Sequence, residues 1–191
     1  MASGLPRVLM DGADIHRTLT RIAHEIVERN GGVSGLAIVG VVRKGDILAA
    51  RLAEAIKAIE PGFEVPCGRL DITLYRDDIG KKGFAPVVRR TEIPFDITGL
   101  TVVLVDDVVF TGRTTRAALD ALNDFGRPDA IRYAVLVDRG CRELPIQPDH
   151  VGLIVKTGPD ERVKVELAEE TGGPDRVLLM EAQADWVPGQ D

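Results

Sequence analysis

Cysteines, aromatic residues and long apolar runs are all scarce in this sequence of 191 residues. Two cysteines, Cys67 and Cys141, are too few for a disulfide framework, and neither has the spacing of a metal ligand. The longest apolar stretches, at 36–42 and 102–105, are far shorter than the roughly 20 residues that span a bilayer. With 45% hydrophobic but only 4% aromatic residues, the core must consist mainly of Val, Ile, Leu and Ala.

The sequence also lacks a basic leader segment and an excess of positive charge. Residues 1–10 show no basic start followed by an apolar run, so we expect a soluble, cytoplasmic protein that does not enter a membrane. The formal net charge of −6 argues against indiscriminate nucleic-acid binding, but it leaves room for a local basic face.

The most informative stretch is 102–115, where a strand, a loop and the start of a helix follow one another. Four apolar residues suit a strand buried on both faces, two carboxylates follow, and Thr-Gly-Arg-Thr-Thr then opens a helical pattern. In chain order the residues are Val102, Val103, Leu104, Val105, Asp106, Asp107, Val108, Val109, Phe110, Thr111, Gly112, Arg113, Thr114 and Thr115.

The second half of this stretch has the chemistry of a site for a phosphorylated sugar. Gly112 lets backbone N–H groups approach an anion, threonine hydroxyls add donors, and the helix start contributes its positive dipole end. Asp106 and Asp107 accept hydrogen bonds when ionised. They therefore suit vicinal sugar hydroxyls, a hydrated Mg²⁺ or a positive charge that develops on a sugar ring.

This stretch resembles the phosphoribosyl-pyrophosphate (PRPP) motif of the type I phosphoribosyltransferases. The resemblance implies that Asp106 and Asp107 are catalytic residues that bind the ribose hydroxyls and hold Mg²⁺ indirectly, through water or ribose. It also implies that the loop at 111–115 binds the 5′-phosphate. The alternative is an acidic pair in another doubly wound protein. A receiver domain, however, carries its pair after the first strand, and the glycine fingerprint of dinucleotide binders is absent.

A second anion-binding loop is predicted at Arg43, Lys44 and Gly45. These residues follow the apolar stretch 36–42, and cations at the end of a strand beside a glycine can hold an anion. The corresponding loop of type I phosphoribosyltransferases binds pyrophosphate, so the resemblance implies that role here. A solvated Arg-Lys turn is the alternative interpretation.

The rest of the chain alternates between helical and strand patterns. We expect helices at 11–30, 46–59 and 114–125, strands at 36–42, 69–75, 102–105, 130–137 and 151–155, and terminal strands or a hairpin at 163–167 and 176–181. This alternation predicts an α/β fold with one doubly wound, mostly parallel sheet in a single domain over 1–191. We expect a flexible flap at about 69–97, and a small hood from about 138–181 plus N-terminal elements.

The predicted flap is polar and basic. Residues 69–90 contain six cations and three carboxylates, which gives a local net charge of +3. Its candidate functional residues are Arg76, Arg89 and Arg90. A charged insertion beside a polyanion site indicates a lid that closes over substrate, whereas RNA contact and simple solvation are the alternatives.

A narrower resemblance concerns the base that the site accepts. Residues 70–78 and 138–146 are similar to the pyrimidine operon regulators with uracil phosphoribosyltransferase activity, and the likeness covers about 15–155. It places Asp138, Arg139 and Val155 in the base pocket. Phe110 stands where hypoxanthine-guanine enzymes carry an aspartate that meets a purine nitrogen, so a purine is disfavoured.

The resemblance implies a reaction and a regulatory role. The reaction is uracil plus PRPP giving UMP and pyrophosphate with Mg²⁺. The regulatory role is binding of the leader mRNA of pyrimidine biosynthesis genes in response to uridine nucleotides, by a homodimer or higher homo-oligomer. The alternative is a plain metabolic phosphoribosyltransferase, for uracil or less plausibly a purine, that does not bind RNA.

Overall fold

Five parallel strands form the centre of the protein. The structure is a computed structural model that describes residues 6–76, 90–158 and 160–181. Its strands are β1 (Arg7–Asp11), β2 (Leu36–Val41), β3 (Cys67–Leu70), β4 (Thr101–Val109), β5 (Ala130–Asp138), β6 (His150–Ile154), β7 (Glu161–Glu166) and β8 (Arg176–Glu181). Its helices are α1 (Gly12–Asn30), α2 (Gly45–Ile59), α3 (Arg113–Leu122) and α4 (Ala168–Thr171). The central sheet has the order β3-β2-β4-β5-β6, and every neighbouring pair is parallel. The α/β sheet that the sequence predicts is confirmed.

Helices cover both faces of this sheet, which explains why its central strand β2 is apolar throughout. All six residues of β2 are buried, as expected for a central parallel strand. In β4, Val103 and Val105 pack in the cluster that contains α1 and α2, whereas Val102 and Leu104 pack with α3. Among the described residues, no helix has the length and apolarity needed to cross a membrane.

A second sheet is built from both ends of the described chain. Its order is β1-β8-β7, and both pairs are antiparallel. Arg51 of α2 joins this unit to the main body, because its guanidinium lies 2.6 Å from the carboxylates of both Glu169 and Asp175. Strand β1 is absent from the sequence-based prediction, which begins the first helix at residue 11.

Three predicted elements have a boundary that is wrong by more than two residues. The strand expected at 102–105 is β4, which continues to Val109. The strand expected at 69–75 is β3, which ends at Leu70, and a 3-10 turn follows at Thr73–Tyr75. Asp71 accounts for the break, because its Oδ1 accepts a hydrogen bond of 2.8 Å from the N–H of Thr73 and so closes a turn. The helix expected at 114–125 ends at Leu122 and continues as a 3-10 turn, Asn123–Phe125.

Candidate active site

Asp106 and Asp107 lie near the carboxyl end of β4. Because side chains alternate along a strand, Asp106 follows Val102 and Leu104 towards α3, and Asp107 points towards α2. Asp106 is 4% exposed and accepts a 2.9 Å hydrogen bond from the N–H of Asp107. Asp107 is less buried and accepts a 2.8 Å bond from the N–H of Val108. The two carboxylates therefore have different environments although they are adjacent in sequence.

Burial makes ionisation of Asp106 unfavourable. Removal from water is the main cause that raises its pKa well above the ordinary aspartate value, and the negative charge of Asp107 adds to the effect. The ammonium of Lys44 opposes the shift only in part. Without a cationic or hydroxyl-bearing ligand, ionisation of both carboxylates at once is therefore unfavourable.

The raised pKa of Asp106 predicts a pH-dependent stability difference. A group with a raised pKa in the folded state stabilises the fold below its unfolded pKa, and this stabilisation is lost as pH rises through the folded pKa. Asp106→Asn removes that titration, so the melting temperature of the variant should rise relative to wild type as the pH increases above the ordinary aspartate pKa of about 3.9. Each kcal/mol corresponds to about 2–4 °C for a chain of this size. Thermal melts at several pH values test this, and a difference that does not change with pH would contradict it.

The loop at 43–45 packs directly against the acidic pair. The Nζ atom of Lys44 is 3.6 Å from Oδ2 of Asp107, and the Lys44 side chain is only 5% exposed. A Cβ atom at Gly45 would lie 2.5 Å from the carbonyl oxygen of Val105, so only glycine allows this approach. Arg43 is more exposed and lies 3.8 Å from Glu170 of α4. The structure thus brings together the two loops that the sequence predicts to bind pyrophosphate and ribose.

The loop at 111–115 forms the start of α3. Gly112 has φ of 90°, a left-handed conformation that favours glycine, and α3 begins at the next residue. The first N–H groups of a helix have no acceptor within it, so they are available to an anion. Thr111 and Thr114 are partly exposed, whereas Thr115 is 2% exposed. The hydroxyl groups of Thr111 and Thr114 are accordingly the accessible ones.

The residues predicted to form the base pocket also lie together. The guanidinium of Arg139, which is 4% exposed, stacks 4.0 Å from the ring centroid of Phe110. Its Nη2 donates to the carbonyl of Glu161 at 2.7 Å, which connects it to β7. The N–H of Val155 donates to the carbonyl of Asp138 at 2.8 Å. The planar, positively charged guanidinium of Arg139 therefore lies beside the PRPP motif, against the Phe110 ring.

Known proteins share this arrangement of motif and fold. The phosphoribosyl transferase domain family matches residues 9–163. The Bifunctional protein PyrR of Roseiflexus sp. strain RS-1 is 59% identical over 176 residues, which cover 92% of this chain and 96% of that protein. The protein of the same name from Thermus aquaticus is 58% identical over 175 residues, with the same coverage of both chains. This chain belongs to the PyrR family.

Solved structures agree with the fold of this PyrR family member. A hypoxanthine-guanine phosphoribosyltransferase from Bacillus anthracis superimposes with a TM-score of 0.66 and covers 96% of this chain and all of that chain. The hypoxanthine phosphoribosyltransferase of Trypanosoma cruzi gives a TM-score of 0.67 and covers 93% of this chain and 97% of that chain. Sequence identities of 19% and 16% limit the agreement to the fold. The type I phosphoribosyltransferase fold expected from the sequence is confirmed.

The predicted flap residues are only partly within the described chain. Arg76 is partly buried just after the 3-10 turn. Arg90 is 82% exposed at its side chain and lies 3.6 Å from Glu92. Arg89 lies outside the described residues, as do residues 77–88 of the predicted flap. The site assignments in this segment stay predictions.

Arg142 is the residue near the site that sequence reasoning missed. The motif 138–146 that identified the family contains it, but its spacing says nothing about where its side chain points. In the structure the side chain is 13% exposed and lies 2.7 Å from Asp138. Only the fold shows that it faces the PRPP motif rather than solvent.

Proposed function

We propose that this protein transfers the phosphoribosyl group of PRPP to uracil, giving UMP and pyrophosphate, and that it also regulates pyrimidine genes by binding their leader mRNA. The observation that carries the enzymatic part is the contact of 3.6 Å between Lys44 and Asp107. It joins a cationic loop suited to pyrophosphate and an acidic pair suited to ribose in one site, and the phosphate loop begins four residues after Asp107. PRPP has an anion at each end of one ribose and fits this order.

Each part of the site has a separate task in this proposal. Asp106 and Asp107 bind the ribose hydroxyls and stabilise the positive charge that develops on the sugar as the pyrophosphate leaves. The N–H groups and hydroxyls of 111–115 fix the 5′-phosphate, while Lys44 and Arg43 hold the pyrophosphate. No nucleophilic side chain is needed, because positioning of the base against the sugar supplies much of the rate enhancement.

The donor set also fits Mg²⁺. Within the described residues, no group of three or more His, Cys, Asp or Glu side chains is arranged to hold a metal on its own. Mg²⁺ is commonly bound by one or two carboxylates together with substrate phosphates and waters, and Asp106 and Asp107 suit that arrangement. When bound with PRPP, the ion would neutralise charge on the departing pyrophosphate.

Phe110 and Arg139 favour a pyrimidine. The Phe110 ring, which stacks on Arg139, is apolar and offers no acceptor for the nitrogen of a purine ring. The carboxylate of Asp138 is already engaged, 2.7 Å from Arg142. We propose that Val155 completes this pocket and that the sheet β1-β8-β7 is the hood beside it.

The enzymatic proposal is tested by supplying the protein with PRPP, Mg²⁺ and one base at a time. UMP should form from uracil, and hypoxanthine and guanine should give little nucleotide under the same conditions. Faster transfer to either purine would contradict the base assignment. Failure to transfer to any base would leave only the regulatory part.

Replacing Thr111 with valine tests the phosphate loop. Loss of one hydrogen bond to a charged group costs about 1.5–3 kcal/mol, so PRPP and UMP should both bind about 10- to 100-fold more weakly. Uridine lacks the phosphate and serves as the matched ligand, because its affinity should stay unchanged. Isothermal titration of the three ligands measures the effect. A loss for PRPP alone would mean that the 5′-phosphate lies elsewhere.

The proposed assembly is a homodimer or higher homo-oligomer. A groove of about 1230 Å³ between α1 and α2 supports it, and Leu19, Ile47 and Ile59 are among its apolar lining residues. The PRPP motif does not contribute to this groove. An interface there would leave the active site open. Light scattering of the purified protein would determine the number of subunits.

A further inference from the structure

The guanidinium of Arg142 binds four oxygen atoms, one in the PRPP motif and three within four residues of Arg142 itself. Its Nη1 donates to the carbonyls of Phe110 and Gly140 at 3.0 and 3.1 Å, its Nε donates to the carbonyl of Ile146 at 3.0 Å, and its Nη2 donates to Oδ2 of Asp138 at 2.7 Å. These bonds use four of the five N–H donors that an arginine side chain carries. The side chain is therefore committed to the protein rather than to a substrate.

The four acceptors lie in functionally different places. The Phe110 carbonyl belongs to the PRPP motif, immediately before the phosphate loop. Asp138 is the last residue of β5, and Gly140 and Ile146 lie in the loop that follows, which carries Arg139 of the proposed base pocket. One planar cation thus holds the proposed base loop and the proposed phosphate loop in a single arrangement.

A second set of contacts joins the same two loops. The N–H groups of Glu143 and Leu144 donate to the Thr111 carbonyl at 2.9 and 3.1 Å. The side chains of Leu144 and Ile146 lie over Gly112, where an added Cβ would be 3.4 and 3.6 Å from theirs. The segment 143–146, which follows Arg142, therefore packs against the proposed phosphate loop.

We infer that Arg142 is a positioning residue that couples the base pocket to the 5′-phosphate loop. The inference rests on the proposed function, because it takes the two loops as the base and phosphate sites. Arg142 acts through the Phe110 carbonyl, which fixes where the Phe110 ring meets the base and where the loop at 111–115 begins.

Arg142→Lys is the variant that tests this role. Lysine keeps the positive charge, but its three donors radiate from one nitrogen and cannot reproduce a fork that binds oxygens on several sides. The charge balance with Asp138 therefore survives while the link between the loops is weakened. Arg132→Lys is the matched control. Arg132 lies near the amino end of the same strand, β5, is 42% exposed at its side chain and is 3.6 Å from Asp149.

The measurement is the ratio of the dissociation constants of uridine and UMP, which reports how well the 5′-phosphate is held. In Arg142→Lys this ratio should fall by about tenfold, and kcat/KM for PRPP and for uracil should fall together. Arg132→Lys should keep the wild-type ratio and rates. A purely structural role for Arg142 would lower the melting temperature and leave the ratio unchanged, and that result would overturn the inference.

Two further results keep the inference separate from the proposed function. If Arg142→Lys does not fold, Asp138→Asn removes the charge of one acceptor while it preserves the side-chain shape, and the ratio should fall in the same direction by a smaller factor. An unchanged ratio in that variant would then overturn the inference. If wild type makes UMP but the variants match it, the inference alone fails. If wild type neither makes nor binds UMP, the proposed function fails, and the inference fails with it.

Discussion

Replacing both Asp106 and Asp107 with asparagine should lower the rate of UMP formation by about 10³-fold or more while the protein remains folded. Removal of one group that stabilises transition-state charge commonly costs about 10²- to 10³-fold in rate, and here two such groups are lost. Asparagine still accepts a hydrogen bond, so the 2.9 Å and 2.8 Å bonds from the neighbouring N–H groups can persist. The kcat/KM for PRPP at saturating uracil and Mg²⁺ measures the effect.

The control for this pair is Asp120→Asn. Asp120 is an exposed carboxylate on α3, the helix that follows the phosphate loop, and it is absent from the proposed site. Its variant should keep the wild-type rate, and circular dichroism should show that all these proteins are folded. A double variant with kcat/KM near the wild-type value would remove the acidic pair from the catalytic assignment.

The arrangement of residues in the central part of the candidate site could be predicted because these residues are contiguous in sequence. Apolar strand, carboxylates, glycine and threonines follow one another over 102–115, and each local signal agrees with the next. The cationic loop at 43–45 follows β2, and the parallel sheet brings the ends of neighbouring strands together. The contact between Lys44 and Asp107 is the physical outcome of that rule, since β2 and β4 are neighbours.

The parts that could not be predicted depend on partners far away in sequence or on a side chain that competes with the local pattern. Strand β1 has five residues and becomes a strand because it pairs with β8, which begins at Arg176. A pattern confined to residues 7–11 cannot report that pairing. The alternation at 69–75 does resemble a strand, but the side chain of Asp71 forms a local turn that competes with it. Arg142 shows the same limit within the site, because its bond to the Phe110 carbonyl, 32 residues away, is set by how two loops meet.

The regulatory role predicts a measurable coupling between UMP and RNA. If UMP in the site at 106–115 favours the RNA-binding state, UMP must tighten the binding of a pyrimidine leader, and that RNA must tighten UMP by the same factor. Couplings of this kind are typically about 5- to 150-fold. Filter binding with and without UMP gives one factor, and titration of UMP with and without RNA gives the other. If no pyrimidine leader binds in a UMP-sensitive manner, the protein is a uracil phosphoribosyltransferase without this control.

Arg89→Ala with Arg90→Ala then distinguishes an RNA contact from a catalytic lid. Arg90 is 82% exposed, and its 3.6 Å approach to Glu92 is a surface contact of little energetic weight, so its removal should not disturb the core.

If both residues contact phosphates, leader binding should weaken and the slope of its affinity against log salt should decrease by about 1.4, because each contact to a single strand contributes about 0.7. UMP affinity should then be nearly preserved. If the segment instead closes over substrate, transfer to uracil should fall while RNA affinity and its salt slope stay unchanged. An RNA contact changes leader affinity, whereas a catalytic lid changes the rate of transfer to uracil. This one double variant can therefore assign the basic segment to either function.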